Sequence, residues 1–493
     1  EDVTNVDAVG LITARNGIVV GSGITLSKDG DGFFTGIVTA ASYVLANGEE
    51  VGAASTENIR TNTNATFLQN INVGVAITAG KLGIGFTDTN VKVGNTALDS
   101  LTTGTNNAAV GENVLTANTT GSNNTSIGAL SLAANTTGGQ NTAIGRAALN
   151  TNTTADNNTA VGKNALLLNT TGHSNTAVGS DCLDANTTAS NNTAVGYVAL
   201  SANTTGANNT AIGRAALNSV TTGDDNTAVG KNSLLNNGGS DNTAVGSESL
   251  QANTTGTRNT AVGSFSLDAN TTADHNTALG AYALTSTTTG DSNTALGSSS
   301  LESNSTGASN TAVGRAALLV NSTGNNNTAV GKGALQANTT APDNTAVGKD
   351  ALLTTTTGHE NTAMGVSALK LTTTGRSNVA MGRETMQNNT TGSYNTALGY
   401  EALKSNTTAS YNVAVGQGSL QSNQTGTKNV AVGVDALDAA NTDNNTAIGF
   451  EAMTNATASE CVAVGSRALK AQTSAARCTA VGSEAATAIT TGN

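Results

Sequence analysis

One five-residue phrase, Asn-Thr-Ala-Val-Gly, constrains this chain more than any other feature, because it recurs along most of the sequence. The copy at 158–162 is followed by copies that begin at Asn175, Asn192 and Asn209. In this register the chain holds 24 copies from residue 90 onward, and three of the 23 intervals are one residue shorter than the others. A fixed period of about 17 residues indicates a solenoid or repeat array. The register divides the chain into an N-terminal segment, 1–89, and an array, 90–493, whose last copy is incomplete.

The repeat is numbered from its Asn as position 1. Position 5 is Gly in all 24 copies, position 4 is always Val, Ile, Leu or Met, and position 9 is Leu in 21. Thr, Asn, Gly and Val disfavour helices and suit short strands and turns. Each repeat is therefore predicted to be one coil of an all-β, parallel β-solenoid or β-roll. Strands are expected near positions 2–4 and 7–10. Stacked at about 4.8 Å, 24 coils would form a rod of about 115 Å.

Each recurring position has a predicted role. Positions 4 and 9 should form the structural core, represented by Val161, Leu166, Val178, Leu183, Val330 and Leu335. The glycines at position 5 should supply a backbone angle or a close approach that a Cβ forbids; examples are Gly162, Gly179 and Gly196. The position-1 amides should form a ladder in which each bonds the next, and the Thr run a ladder of hydroxyls; the amide ladder includes Asn158, Asn175 and Asn192.

The alternation of small and large residues bears on assembly. Ala at position 3 and Val at position 4 point to opposite faces of a strand. A lone coil that buried Val and Leu would expose a stripe of Ala along its length, whereas three coils around an axis would cover it. This favours a homotrimer, although small and large residues also alternate in single-chain solenoids.

The array resembles two families of fibrous proteins. Asn-Thr-Ala-Val/Ile-Gly followed by Ala-Leu is similar to the head repeats of trimeric autotransporter adhesins, and to arrays in the fibre proteins of tailed bacteriophages. The resemblance spans residues 90–493 and implies a trimeric fibre, located on a virion or, alternatively, on a bacterial cell surface. The phrase at 9–14, echoed at 35–40, resembles phrases of phage structural proteins and favours the virion.

Composition excludes several classes of protein. Aromatic residues make up 2% of the chain and Trp is absent, so a conventional aromatic core is excluded. The strict apolar period argues against disorder. A net charge of −12 without a basic cluster argues against nucleic-acid binding. No apolar stretch reaches the length of a membrane span. The last residues, 490–493, lie in a turn without a cap, so the sequence is expected to be part of a longer polypeptide.

Two groups of residues invite a metal interpretation. Asp29-Gly30-Asp31-Gly32 offers carboxylates for calcium, but Asp and Gly are also typical of hairpin turns, and the turn is favoured. His173, His275 and His359 lie several coils apart and cannot share a metal. No catalytic, cofactor-binding or metal-binding residue is predicted.

Two pairs of residues in successive coils are also informative. Cys461 and Cys478 replace the position-1 Asn, and coil stacking would place them within the Cα range of a disulfide. Two thiols that continue the ladder are favoured over the disulfide. Tyr394 and Tyr411 share position 17 and should stack. Packing between coils is favoured over sugar binding for this pair.

The sequence predicts a structural protein rather than an enzyme: the shaft of an extracellular or virion fibre that holds an attachment tip away from its anchor. Its expected partners are identical copies and the flanking fibre or anchor segments. The alternative is an adhesin whose array itself binds a host-surface glycan or matrix protein. Each coil would then bind weakly, and the many coils together would give a high overall affinity through multivalency.

Overall fold

The computed structural model describes residues 18–20, 24–26, 32–34, 89–439, 441–471 and 475–487. The chain divides into two units, 1–80 and 81–493. In the first unit, β1 (Ile18–Val20), β2 (Ile24–Leu26) and β3 (Gly32–Phe34) form an antiparallel sheet in that order. Asp29, Gly30 and Asp31 lie outside the described residues, between the paired strands β2 and β3.

In the second unit, each repeat contributes one three-residue strand at positions 2–4. The strands are β4 (Val91–Val93), β5 (Ala108–Val110), β6 (Thr125–Ile127), β7 (Thr142–Ile144), β8 (Thr159–Val161), β9 (Thr176–Val178), β10 (Thr193–Val195), β11 (Thr210–Ile212), β12 (Thr227–Val229), β13 (Thr243–Val245), β14 (Thr260–Val262), β15 (Thr277–Leu279), β16 (Thr294–Leu296), β17 (Thr311–Val313), β18 (Thr328–Val330), β19 (Thr345–Val347), β20 (Thr362–Met364), β21 (Val379–Met381), β22 (Thr396–Leu398), β23 (Val413–Val415), β24 (Val430–Val432), β25 (Thr446–Ile448), β26 (Val462–Val464) and β27 (Thr479–Val481).

These 24 strands form one parallel sheet in which each strand pairs with the next in sequence. The register is one full repeat, so that Thr159, Ala160 and Val161 lie opposite Thr176, Ala177 and Val178. Among the pairs of described strands none joins β27 to β4, so the sheet is an open ladder. The part of the chain that the structure describes contains no helix. The prediction of an all-β, parallel β-solenoid with one coil per repeat is confirmed.

The inside and outside of the strand are the reverse of what the sequence predicted. Ala160 at position 3 is fully buried, whereas Val161 and Val330 at position 4 are half-buried and Val178 is 37% exposed. The assignment of these three valines to the core is therefore wrong. The leucines at position 9, which include Leu166, Leu183 and Leu335, are fully buried as predicted and form one core with the alanines. Since the leucines fill the narrow interior, the strand can turn only a small side chain inward.

The second predicted strand, at positions 7–10, is also wrong. Positions 7 and 9 adopt left-handed backbone angles, with φ of 56° at Asn164 and 53° at Leu166. The backbone nevertheless bonds from coil to coil here, since the Leu166 N–H donates to the Cys182 carbonyl at 3.0 Å and the Leu168 N–H to Asp184 at 2.9 Å. A folded segment therefore replaces an extended one and points the position-9 side chain into the core.

The glycines at position 5 meet both of the predicted requirements. Gly162, Gly179 and Gly196 have φ of 139°, 147° and 136°. A Cβ on Gly331 would lie 2.6 Å from the carbonyl carbon of Gly348 in the next coil, which is much closer than real Cβ contacts. The positive φ recurs in all 24 coils, and the close approach in all but the last, where a Cβ on Gly482 would make only an ordinary contact at 3.7 Å.

The Asn side chains at position 1 join the coils mainly by accepting hydrogen bonds from backbone N–H groups. They do not rely only on bonds between one side-chain amide and the next. The Asn158 Oδ1 accepts the backbone N–H of Asn175 at 2.9 Å, and the same bond links Asn175 to Asn192 at 2.9 Å. The Asn158 Nδ2 donates to the Gly172 carbonyl within its own coil at 2.9 Å. Each buried amide thus ties a turn to the strand and one coil to the next.

A second buried ladder runs along position 12, and here the amides do bond to each other. The Asn152 Nδ2 donates to the Asn135 Oδ1 at 2.9 Å, and Asn169 donates to Asn152 at 2.9 Å. The adjacent Thr at position 13 donates its hydroxyl to a carbonyl, as from Thr170 to Thr187 at 2.9 Å. In the Thr run, most position-13 hydroxyls therefore donate to a backbone carbonyl of the next coil. Among the described residues these hydroxyls do not bond to one another, although the sequence had predicted that they would.

The position-12 ladder is interrupted at two successive threonines, and repairing it should stabilise the array. Thr355 and Thr372 follow Asn338, and the Asn338 Oδ1 and Thr355 Oγ1 are buried without a hydrogen-bond partner. The double variant Thr355→Asn/Thr372→Asn should raise the thermal midpoint, with a gain of about 1 kcal/mol per restored bond. The exposed pair Thr357→Asn/Thr374→Asn is the control. If the thermal midpoint of the double variant rose no further than that of the control, the position-12 ladder would not stabilise the array as proposed.

The three shorter coils omit the same position. In the coil that begins at Asn226, the Asn226 Nδ2 donates to Gly239 at 3.0 Å, which assigns Gly239 to position 15. In the coil of Asn429, the corresponding acceptor is Thr442 at 2.8 Å. Position 14 is therefore missing from these two coils, and the Thr457-Ala458 turn of the coil at 445 aligns in the same way.

Candidate functional site

The outer face of the long sheet carries an unbroken apolar stripe. Position 4 holds Val, Ile, Leu or Met in every coil, and this side chain points outward. Ile127, Leu279 and Leu398 are 41%, 46% and 47% exposed. Thr or another small residue at position 2 borders the stripe in most coils. An apolar row of this length is a feature that monomeric proteins rarely leave in water.

The two edges of this face carry opposite charges. Nine residues at position 6 are charged and eight of them are basic: Arg146, Lys163, Arg214, Lys231, Arg315, Lys332, Lys349 and Arg383. At the other edge, positions 16 and 17 hold ten acidic residues, which are Asp156, Asp224, Asp225, Asp241, Asp274, Asp291, Asp343, Glu360, Asp443 and Glu460, and four basic ones, which are Arg258, Arg376, Lys428 and Arg477. The face is therefore polarised across its width. The predictions made from the sequence did not include this segregation of charge.

The described residues offer no cluster of metal ligands. They contain no group of three or more His, Cys, Asp or Glu side chains placed to hold a metal ion. His173 and His275 lie six coils apart, and His275 and His359 lie five coils apart. The three histidines therefore lie far apart along the array, and this separation agrees with the prediction from the sequence.

The cysteines are thiols and not disulfides. Cys461 and Cys478 continue the position-1 ladder, since the Cys478 backbone N–H donates to the Cys461 Sγ at 3.4 Å, where an Asn oxygen would otherwise accept. Cys182 is buried, and burial raises its pKa to about 12. A thiol with so high a pKa is a small core residue rather than a nucleophile.

The aromatic pair stacks between successive coils, as predicted. The Tyr394 and Tyr411 rings stack with centroids 5.1 Å apart and planes 8° apart. Arg376 lies over the Tyr394 ring, 5.5 Å from its centroid. The two rings cover one face of each other and the guanidinium also covers Tyr394, while Tyr411 is 57% exposed. Phe265 and Tyr282 at position 7 stack in the same way, at 5.4 Å.

Two carboxylates in one coil have pKa shifts of opposite sign. Asp181 accepts hydrogen bonds from Ser180 at 2.7 Å and Asn164 at 2.8 Å, which lower the pKa of its carboxyl. Desolvation raises the pKa of Asp184. Its Oδ1 is buried without a hydrogen-bond partner. Ionised Asp181 therefore stabilises its coil and ionised Asp184 destabilises it.

These shifts predict opposite effects for two matched variants. At neutral pH, Asp184→Asn should raise the thermal midpoint and Asp181→Asn should lower it. The Asp184 penalty is complete above its raised folded pKa and vanishes below its unfolded value, so the advantage of Asp184→Asn should disappear in acid. The contribution of Asp181 is complete above its unfolded value and is lost as pH falls through its lowered folded pKa. Midpoints measured across pH test this, and shifts of the same sign at neutral pH would contradict it.

Comparisons with family models, curated proteins and solved structures return no match to this chain. Within the described residues, no helix is long and apolar enough to cross a membrane.

Proposed function

We propose that this chain is the shaft of an extracellular or virion fibre, with a mechanical rather than a catalytic role. The observation that carries the proposal is the uniformity of the coils. Most coils bury an Ala, a Leu and an Asn side chain of their own, and each internal coil hydrogen-bonds to the coil on either side. Length is then set by coil number, and opening an internal coil breaks bonds to both neighbours. Such an array holds an attachment tip at a fixed distance from an anchor.

The apolar stripe supports assembly of identical copies. The small-residue seam expected from the sequence does not exist, because Ala at position 3 is buried within its own coil. The position-4 stripe takes its place as the seam. If each of the 24 side chains leaves roughly 40 Å² of apolar surface in water, the stripe amounts to about 1,000 Å² per copy. That area exceeds the largest patch of a typical monomer and is comparable with one side of a stable interface.

The charged edges favour parallel copies in register. In a parallel assembly the basic edge at position 6 meets the acidic edge at positions 16 and 17 of the next copy, whereas an antiparallel pair would place basic against basic. Five of the eight coils that are basic at position 6 carry an acid at position 16 or 17. The four coils that are basic at position 17 or 16 have no base at position 6. With three copies, as the family resemblance implies, this arrangement forms a closed ring around an axis.

The shaft proposal is tested by changing the coil number. Deletion of residues 259–326 removes four complete coils and joins the coil of Asn242 to that of Asn327 in register. Electron microscopy should show rods shortened by about 19 Å, because each coil contributes about 4.8 Å. Deletion of 259–318, which breaks the register, is the control and should disrupt the rod. A particle whose length does not follow the coil number would contradict the proposal.

A further inference from the structure

Position 14 carries a column of exposed threonines along the turn side of the solenoid. In the 21 coils of full length, this position is Thr in 20 and Ser474 in the other. All of those that the structure describes are exposed. They are Thr103, Thr120, Thr137, Thr154, Thr171, Thr188, Thr205, Thr222, Thr255, Thr272, Thr289, Thr306, Thr323, Thr340, Thr357, Thr374, Thr391, Thr408 and Thr425.

None of these 19 hydroxyls makes a hydrogen bond to another described residue, in contrast to the neighbouring Thr at position 13. The position-13 hydroxyls bond to the next coil, as from Thr170 to Thr187 at 2.9 Å. The position-13 threonines are therefore explained by the fold. The position-14 hydroxyls are therefore free of hydrogen bonds within the described fold and can donate to and accept from solvent or a ligand.

Repeat duplication does not explain the constancy of position 14. Position 16, which is partly or fully exposed in the same turn, has diversified to Thr, Ser, Gly, Asp, His, Ala, Asn, Pro and Arg. β-branching alone does not explain it either, since Val or Ile would restrict the backbone equally well and neither occurs there. The hydroxyl is thus the constant property, although no contact within the described residues requires it.

The spacing of the hydroxyls and the acidic charge of the chain indicate which kind of ligand fits the column. Successive hydroxyls are one coil apart, about 4.8 Å, whereas an extended peptide advances by about 3.3 Å per residue. A nucleic-acid strand carries a phosphate about every 3.4 Å and would be repelled by an acidic chain. The rings of an extended β-1,4-linked glycan advance by a distance similar to one coil, and each ring bears hydroxyls. We propose that the position-14 column binds uncharged β-linked polysaccharide lying along the rod.

The surroundings of the column fit a chain-like ligand. Thr120 and Thr137 border a shallow groove of about 320 Å³ that Ser122, Asn123 and Gln140 also line, together with Asp156. The coil of Asn226 lacks position 14 and divides the column into uninterrupted tracks of 8 and 11 threonines. Each hydroxyl contributes little, but many hydroxyls on one rod act together.

The test uses two variants of the full chain, each with eight Thr→Val substitutions in the same coils. The first changes position 14 at residues 137, 154, 171, 188, 289, 306, 323 and 340. The control changes position 2 at residues 125, 142, 159, 176, 277, 294, 311 and 328, where other coils naturally carry Val. The probes are amorphous cellulose and chitin particles, and binding is measured by co-sedimentation. Wild type and control should sediment equally, and the position-14 variant should bind at least about tenfold more weakly. Salt should have little effect, since neither the threonine hydroxyls nor the glycan carry charge.

Failure of the wild type to sediment with either probe would overturn the proposal, as would equal losses in the two variants. Inhibition of ice growth that is lost in the position-14 variant, without polysaccharide binding, would assign the column to ice and would also overturn it. The assay measures binding rather than rod length or mass, so a negative result leaves the fibre proposal intact.

Discussion

Replacing Leu335 with Asp is expected to unfold the coils around it. Leu335 is fully buried in the continuous core and its backbone φ of 52° points the side chain inward. Truncation of such a leucine costs about 2–5 kcal/mol, and a carboxylate without a partner costs more. Hydrogen exchange should show lost protection in the coil of Asn327 and its two neighbours, and the thermal midpoint should fall sharply.

Val330, five residues earlier in the same coil, provides the matched contrast. Because its side chain faces outward and is half-buried, Val330→Asp should leave the coil folded, while weakening association of copies through the stripe. Lys332→Asp at exposed position 6 should leave the protection of the coil unchanged. Equal loss of protection in the Leu335 and Val330 variants would show that the assignment of inward and outward positions is wrong.

Gly331→Ala is the second substitution with a large expected effect. Gly331 has a φ of 133°, and its added Cβ would lie 2.6 Å from backbone atoms of Gly348. Neither the angle nor the neighbouring backbone can adapt without breaking coil-to-coil hydrogen bonds. A loss of more than about 3 kcal/mol is expected. Denaturant unfolding and local hydrogen exchange would measure it.

Gly333, two residues later, is the control. Its φ of 68° lies in a region that the other coils fill with Ala, Asn, Asp and Glu, and an added Cβ would meet only the ends of side chains, which include Asp350 and Gln336. Gly333→Ala should cost only about 1–2 kcal/mol, the usual penalty of a Cβ in left-handed backbone, and so less than Gly331→Ala. If the two alanine variants were equally stable, close coil stacking at position 5 would not be the reason for its glycine.

The repeat register predicted the fold class, the coil length, the position of the strand and the reason for the glycines, because these depend on period and backbone geometry. The choice of inward residue failed for a physical reason. Val161 is larger and more apolar than Ala160, so a rule based on hydrophobicity places it inside. In this narrow coil the interior is already occupied by Leu166 and buried amides. Residue type alone cannot show how much space a coil leaves.

The functional surfaces were less predictable than the fold. The charge difference between the edges was present in the sequence, and counting signs at positions 6, 16 and 17 would have found it. The threonines at position 14 could not be separated from those at position 13 by sequence, since both are nearly constant. Only the structure shows that Thr170 bonds to the next coil while the Thr171 hydroxyl has no partner within the described residues.

The most direct test of the fibre account is the mass of the unheated protein in solution, measured by light scattering. One chain has a mass of 48.5 kDa. We expect a trimer with three times the mass of one chain, joined along the position-4 stripe. A triple variant, Val313→Lys/Val330→Lys/Val347→Lys, should shift the mass toward 48.5 kDa while the coils stay folded. A wild-type mass of 48.5 kDa would contradict the account, because the apolar stripe would then face water on a single-chain solenoid.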